Sequence, residues 1–316
     1  MSGRGLLGVA LVAAAIAVTG GCAVGPSYKR PSVPMPGSFY NAALHAEART
    51  LADAGWWNTF DDLVLTALVE EALRSGFDAR LAAARVEEAR ARFGIARADF
   101  FPSIDYSAGW QRTRADRLVN PEGKTQTHWT ADVGLSWELD LWGRIRRLNE
   151  AARAQYLATE EARRGVLLSL ASEVAVAYLD LRELDAELEI SRRTAGAFQD
   201  TYELFNRRLQ GGAASALETA RAEAALGEVA AQIPEIERAI VARENQLNFL
   251  LGRNPQPIPR DGPVTSLPPD VPPGLPSALL ERRPDIRQAE DLLVAANAAV
   301  GVAKAEFFPR LSLTGL

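Results

Sequence analysis

Cysteine, histidine and methionine are almost missing from this chain. Its 316 residues include one cysteine, Cys22, two histidines, His45 and His128, and two methionines. A lone cysteine closes no internal disulfide, so stability must come from packing and assembly. No HExxH, CxxC, GxSxG or Walker-type loop occurs, which leaves metalloprotease, dithiol, serine-hydrolase and nucleotide-hydrolysing chemistry without their usual residues. No catalytic residue, metal ligand or cofactor is therefore expected. Aromatics make up only 7%, which suits long helices better than a β-sandwich. An excess of one charge is lacking too: 35 Lys and Arg stand against 40 Asp and Glu. The signs alternate as on a solvated helix face, which argues against a nucleic-acid partner.

The first stretch is a secretory signal. Arg4 supplies the charged region and Leu6 to Val18 the apolar core, whose length of about 13 residues is too short to span a bilayer as a helix. Thr19-Gly20-Gly21-Cys22 resembles a bacterial lipobox. The expectation is removal of residues 1–21 and acylation of Cys22, the alternative being an ordinary signal with an incidental cysteine. Ala23 is not the aspartate that often retains such lipoproteins at the inner membrane. Residues 22–60 then read as a lipid-anchored extended segment, with Pro26, Pro31, Pro34 and Pro36 keeping its first half out of helix.

Residues 61–102 read as helices. Leu63, Ala67, Leu68, Ala72 and Leu73 mark a first stripe closed by Gly76, and Asp78 to Asp99 a second helix that stops at Phe100-Phe101-Pro102. The period then changes from 3.6 to 2. Ile104, Tyr106, Ala108 and Trp110 share one face of a strand. After a polar stretch with Asn120-Pro121-Glu122-Gly123 as turn chemistry, Trp129, Ala131, Val133, Leu135, Trp137, Leu139 and Leu141 share one face of a second. Strands of about 10–13 residues with one apolar face and terminal tryptophans are the pattern of a membrane β-hairpin, here 103–141. The alternative is a soluble hairpin packed on a helix. Asp105, Asp132, Glu138 and Asp140 fall on the polar face and are expected to line a watery lumen or its mouth.

Residues 142–253 read as a long helical hairpin. Leu167, Val174, Leu181, Leu188, Ala195, Tyr202 and Leu209 recur every seventh residue, and Leu170, Ala177, Leu184, Phe198 and Phe205 fill the second apolar position, with Ser191 the one gap. Such a seam predicts a coiled-coil rod of about 100 Å, and on its own would suit a periplasmic spacer. Gln210-Gly211-Gly212-Ala213-Ala214-Ser215 forms the tip: a glycine is expected to take the left-handed cap, and Ser215 to cap the return helix in a box with Glu218. Leu217, Leu226, Val229, Ile233, Ile236, Ile240, Leu247 and Leu250 are the apolar positions of that helix; Pro234 is expected to kink or break it, and Gly252 to end it. Residues 254–283 read as a connector.

The end of the chain repeats its beginning. Ile95-Ala96-Arg97-Ala98-Asp99-Phe100-Phe101-Pro102 matches Val302-Ala303-Lys304-Ala305-Glu306-Phe307-Phe308-Pro309; Asp78, Arg80 and Gly94 match Asp285, Arg287 and Gly301. A second-repeat helix is therefore placed at 284–309 and the start of a third strand at 310–316. Leu316 falls a few residues into that strand, so the chain is expected to be a fragment of a longer protein, unable alone to close a barrel.

Ser136-Trp137-Glu138-Leu139-Asp140-Leu141-Trp142-Gly143-Arg144 resembles the strand-to-helix junction of the TolC-like outer-membrane efflux proteins, in their lipoprotein branch. Gly274-Leu275-Pro276-Ser277, Arg282-Arg283-Pro284-Asp285-Ile286 and Ala295-Ala296-Asn297-Ala298 are similar to that branch's second repeat. The resemblance covers nearly all of 22–316. It implies a mainly α fold with a membrane β-hairpin, forming a coiled-coil α-barrel tunnel and part of a trimeric twelve-stranded β-barrel. It also implies a homotrimer in the outer membrane of a Gram-negative bacterium, its helices in the periplasm, partnered by a periplasmic adaptor and an inner-membrane transporter. The function implied is passive export of small molecules, with protein secretion, metal-cation efflux or a structural spacer as alternatives. The tip 210–215 is the expected adaptor contact.

Overall fold

The computed structural model describes residues 23–36, 55–114, 125–260 and 280–316. The signal peptide, Cys22, His45, the turn at 120–123 and most of the connector lie outside the described residues. The elements are a short 3-10 turn (Trp56–Phe60), α1 (Leu63–Ser75), α2 (Phe77–Ala98), β1 (Ser103–Arg114), β2 (Thr125–Leu139), α3 (Arg144–Gln210), α4 (Ala216–Leu250), α5 (Pro284–Ala305) and β3 (Leu311–Gly315). They fall into two compact units. One holds residues up to 34, 85–161 and 285–316; the other holds 35–84 and 162–284.

In the first unit three strands form one antiparallel sheet in the order β1-β2-β3. The register makes the period-two pattern of each strand agree with its neighbour's. Ile104 lies opposite Leu135, Tyr106 opposite Val133, Ala108 opposite Ala131 and Trp110 opposite Trp129. Leu313 lies opposite Trp137 and Leu311 opposite Leu139. A slip of one residue would send every apolar side chain to the wrong face. Both hairpin strands are longer at the loop end than the apolar alternation indicated, taking in Thr113, Arg114, Thr125 and Gln126. At the other end β2 stops at Leu139, so Asp140 and Leu141 are not strand residues as expected.

The internal repeat is structural. α2 and α5 each have 22 residues and occupy matching positions of the two copies. Each ends in the same turn: Phe100 and Phe101 donate their backbone N–H to Arg97 and Ala98, as Phe307 and Phe308 do to Lys304 and Ala305. The expected second-repeat helix thus ends at Ala305, four residues before Pro309. α5 runs antiparallel to the first turns of α3, since Gly301 approaches Arg147 while Arg287 pairs with Glu161 at 2.9 Å. Alanines and one glycine make up the buried face of α5, namely Ala295, Ala298, Gly301 and Ala305.

In the second unit the heptad seam of α3 makes the core. Leu170, Val174, Ala177 and Leu181 are buried with Leu65, Leu68, Val69 and Ala72 of α1 and Ile236, Ile240, Leu247 and Leu250 of α4. Toward the tip Phe198, Tyr202, Phe205 and Leu209 are only half-buried. Three expected core positions fail, Ala67 of α1, which is exposed, and two first-turn leucines. Leu63 is 82% exposed and Leu217 61% exposed. Each sits in the first turn of its helix, one face away from the buried stripes Leu65-Leu68-Val69-Ala72 and Thr219-Ala222. Pro234 does not break the return helix, which runs unbroken from Ala216 to Leu250. The missing N–H costs one hydrogen bond, and the apolar residues that follow, Ile236 and Ile240, hold the helix against the core.

Both ends of α4 follow the expected chemistry. Ser215 accepts from the Glu218 N–H while Glu218 accepts from the Ser215 N–H at 2.7 Å. The Glu218 carboxylate also accepts from the Ser215 hydroxyl at 2.9 Å, and these two donations from Ser215, backbone first and hydroxyl second, hold its carboxyl below its ordinary value. A group whose pKa is lowered by folding contributes stability above its unfolded pKa and loses it as pH falls through the folded pKa. Acidification below the ordinary glutamate range should therefore fray the first turn of α4. Amide exchange at Glu218 and Thr219 should rise with falling pH beyond the intrinsic exchange rate, and Glu218→Gln should abolish that dependence. At the far end Gly252, at φ +71°, closes the helix, with Gly252 donating to Phe249 and Arg253 to Asn248.

Candidate functional site

Three surfaces carry the residues that the sequence singled out. The first is the sheet. Its apolar face is open: Tyr106 is 87% exposed, Trp129 79% and Val133 64%. Trp110 and Trp129 lie across from each other with ring centroids 6.2 Å apart at the loop end. Trp137 lies at the other end, its indole Nε1 donating to the Phe100 carbonyl at 3.1 Å. An apolar face this continuous marks a contact with lipid or protein rather than water. On the polar face Asp105 stands opposite Gly134, and Asp132 accepts a 3.4 Å hydrogen bond from the Ser107 hydroxyl. Both carboxylates are exposed.

Glu138 and Asp140, expected with Asp105 and Asp132 to line a watery lumen or its mouth, are each engaged at the strand-to-helix joint. Glu138 accepts two hydrogen bonds from the Arg144 guanidinium, at 2.8 and 2.7 Å, which raise the Arg144 pKa above its ordinary value. Asp140 accepts from the backbone N–H groups of Ile145 and Arg146 at 3.0 and 2.9 Å and pairs with the Arg146 side chain at 3.1 Å. The first N–H groups of any helix lack partners within it, and the helix N-terminus favours negative charge. Asp140 satisfies both conditions for α3. β2 continues through Glu138 to Leu139 and only Asp140 lies beyond it; both carboxylates face the strand-to-helix joint, Glu138 from the strand and Asp140 from the turn after it.

The second surface is that joint and the N-terminal segment lying on it. Cys22 is outside the described residues, but its neighbour is seated closely. A Cβ on Gly143, whose φ is +79°, would come within 2.7 Å of Ala23. Val24 donates its N–H to the Trp142 carbonyl at 3.0 Å. Trp142 in turn stacks on Phe308 at 4.6 Å and donates from Nε1 to the Pro309 carbonyl at 3.0 Å. Sequence reasoning missed these partners, because nothing local in either stretch points to the other.

The third surface is the tip. Gly212 takes φ +73°, its N–H donating to Leu209 and that of Ala213 to Arg208 at 2.8 Å, which is a Schellman closure of α3. Gln210, Gly211, Gly212, Ala213 and Ser215 are exposed and Ala214 is half-buried. No atom lies within 4 Å of where a Gly212 Cβ would be, so only its backbone conformation demands glycine. Among the described residues no group of three or more His, Cys, Asp or Glu side chains could hold a metal ion. No helix among them is long and apolar enough to cross a membrane.

A short antiparallel sheet with one open apolar face, continued by a 67-residue helix and its return partner, defines the class of envelope proteins that combine membrane strands with a helical hairpin. The chain belongs to the outer membrane efflux protein family, whose model matches residues 68–253. It is similar to the solvent efflux pump outer membrane protein SrpC of Pseudomonas putida, with 37% identity over 309 residues covering 95% of this chain and 66% of that protein. It is similar also to the cation efflux system protein CusC of Escherichia coli O6:H1, with 34% identity over 308 residues, 95% of this chain and 65% of that one. The solved outer-membrane channel OprN superposes with a TM-score of 0.81 at 30% identity, over 93% of this chain and 66% of that one. The chain thus spans just under two thirds of the length of the curated relatives it matches.

Proposed function

We propose that this chain is part of a passive outer-membrane efflux channel: a duct without chemistry of its own, working as a homotrimer with a periplasmic adaptor and an inner-membrane transporter. The observation that carries the reading is the register-matched apolar face of the sheet, exposed from Ile104 to Trp110 and from Trp129 to Trp137. In water such a face would be an aggregation hazard; against acyl chains it is a barrel exterior. Asp105 and Asp132 then line the aqueous lumen, and the tip 210–215 is the adaptor contact, its small residues permitting close approach of another helix pair. Relatives are named for solvent and for cation efflux, so the cargo class assigned here is small molecules or ions. Acylation of Cys22 completes the reading; two or more acyl chains, at about 0.8 kcal/mol per buried methylene, anchor stably.

Single cysteines at 130–135, in a chain with Cys22 as its only other thiol source, test the membrane assignment. Aqueous maleimide should label positions 130, 132 and 134 and spare 131, 133 and 135 in intact outer membranes. Equal labelling of both sets would overturn it. Mass spectrometry of the mature N-terminus tests the anchor: an unmodified Cys22, or a cut elsewhere, would refute acylation and leave the channel reading standing.

A further inference from the structure

The two repeat helices are alike in length and sequence, yet the N-terminal segment lies on only one of them. From Ala23 to Arg30 it follows α5 from its C-terminal end toward its start. Asn297 donates from Nδ2 to the Pro26 carbonyl at 2.9 Å. Tyr28 donates its hydroxyl to Glu290 at 3.1 Å, and Arg30 pairs with the other oxygen of the same carboxylate at 2.8 Å. The approach at Gly301 is close: a Cβ built on Gly25, at φ +106°, would lie 2.5 Å from the Gly301 Cα. Arg147, nearly buried beside them, donates to the Gly25 carbonyl at 3.3 Å.

The first repeat offers a matched comparison. Gly94 is the counterpart of Gly301, and nothing lies within 4 Å of where its Cβ would be. The glycine alone therefore does not recruit the segment. At the two positions that hydrogen-bond it, α2 carries Ala83 in place of Glu290 and Arg90 in place of Asn297. Alanine offers neither Tyr28 nor Arg30 an acceptor, and arginine at the second position is a longer, charged group that does not reproduce the short amide contact of Asn297 with the Pro26 carbonyl. We propose that Glu290 and Asn297 are the specificity determinants of a docking strip on α5 whose ligand is the chain's own segment 23–30, and that they make the segment choose the second repeat over the first. Docking there seats Ala23 on Gly143 at the strand-to-helix joint. Any consequence for an anchor at Cys22 rests on the acylation reading; the docking itself does not.

The test converts one repeat into the other. In intact protein purified from outer membranes in detergent, hydrogen exchange of a peptide covering 23–30 reports the docked segment, the Val24 N–H being bonded to Trp142. Glu290→Ala with Asn297→Arg gives α5 the residues of α2. It should raise exchange in 23–30 at least tenfold while peptides from the buried α3 seam keep their protection. Tyr28→Phe with Arg30→Ala alters only the segment, so it leaves both helices intact; it should produce a rise of the same direction. Undiminished protection of 23–30 in both variants would overturn the proposal. Loss of protection in the first together with the α3 seam, but none in the second, would also overturn it, by showing that α5 packing alone had failed. Mass spectrometry of Cys22 in the same samples reads acylation separately, so the failure of one inference is distinguishable from that of the other.

Discussion

Asp62→Ala should destabilise the helical unit by about 3–5 kcal/mol, the range for removing one partner of a buried ion pair. Asp62 has three roles at once. It caps α1, accepting from the Leu65 N–H at 2.8 Å. It accepts a 3.4 Å hydrogen bond from the Tyr178 hydroxyl, and it pairs with Arg182 at 3.0 Å. The side chains of Arg182 and Asp62 are only 8% and 14% exposed, and Arg182 also donates to the Tyr178 hydroxyl at 3.1 Å and lies over its ring. Removing the carboxylate takes from the buried guanidinium a charged partner at 3.0 Å. Loss of the cap accounts for about 1 kcal/mol of the expected change. Asp62→Asn separates the terms, because asparagine still caps α1 and accepts from Tyr178 while the charge is lost. Helical circular dichroism against denaturant should rank the variants wild type, Asn, Ala. Adding Arg182→Met to Asp62→Asn should recover part of the loss, since a matched apolar replacement does not strand a charge. An Asp62→Ala protein as stable as wild type would mean that α1 is held by its leucines alone.

Part of this network is legible in the sequence: Asp62 directly precedes the apolar stripe that opens at Leu63, where a cap belongs, whereas Tyr178 and Arg182 lie more than a hundred residues away. The seam of α3 was legible because a seven-residue repeat over so many turns has one geometric meaning, and Leu170, Val174, Ala177 and Leu181 are buried along it, with Leu167, Leu184 and Leu188 partly buried against the same core. The tip was legible because Gly212, Ser215 and Glu218 act within a few residues of one another. Asp140 was not legible as a helix cap, because alternation says which face a residue takes only while the strand continues, and β2 ends at Leu139; Glu138 lies within the strand, and alternation does not name its partner Arg144. The N-terminal strip was beyond reach. Tyr28 and Glu290 are 262 residues apart, and neither residue type nor local spacing pairs them. Only the difference between the repeats, Ala83 against Glu290, held a trace of it, and that difference acquires meaning once the segment is seen lying on one helix and absent from the other.

Val133→Arg should cost about 2–4 kcal/mol if Val133 faces the bilayer midplane. The argument is positional. Val133 lies in the middle of β2, opposite Tyr106, four residues from Trp129 at the loop end and four from Trp137 at the joint. Tryptophans at both ends place the two interfaces, so residue 133 falls between them. It is 64% exposed in the single chain, so arginine there clashes with nothing; whatever it costs is the cost of the medium. The neighbouring Asp132→Asn, on the opposite face, alters charge without entering lipid. Carried in a closed trimeric channel of which this chain is a part, it should leave the amount of assembled, heat-resistant protein in outer membranes unchanged, and shift the cation preference of single-channel currents in planar bilayers. Val133→Arg should do the reverse, reducing assembled protein tenfold or more while any channels that do form conduct normally. A soluble hairpin predicts another pattern, because in water both faces tolerate arginine at a cost of a few tenths of a kcal/mol, as surface substitutions do. Equal yields for Val133→Arg, Asp132→Arg and wild type would therefore remove the sheet from the membrane and the channel reading with it.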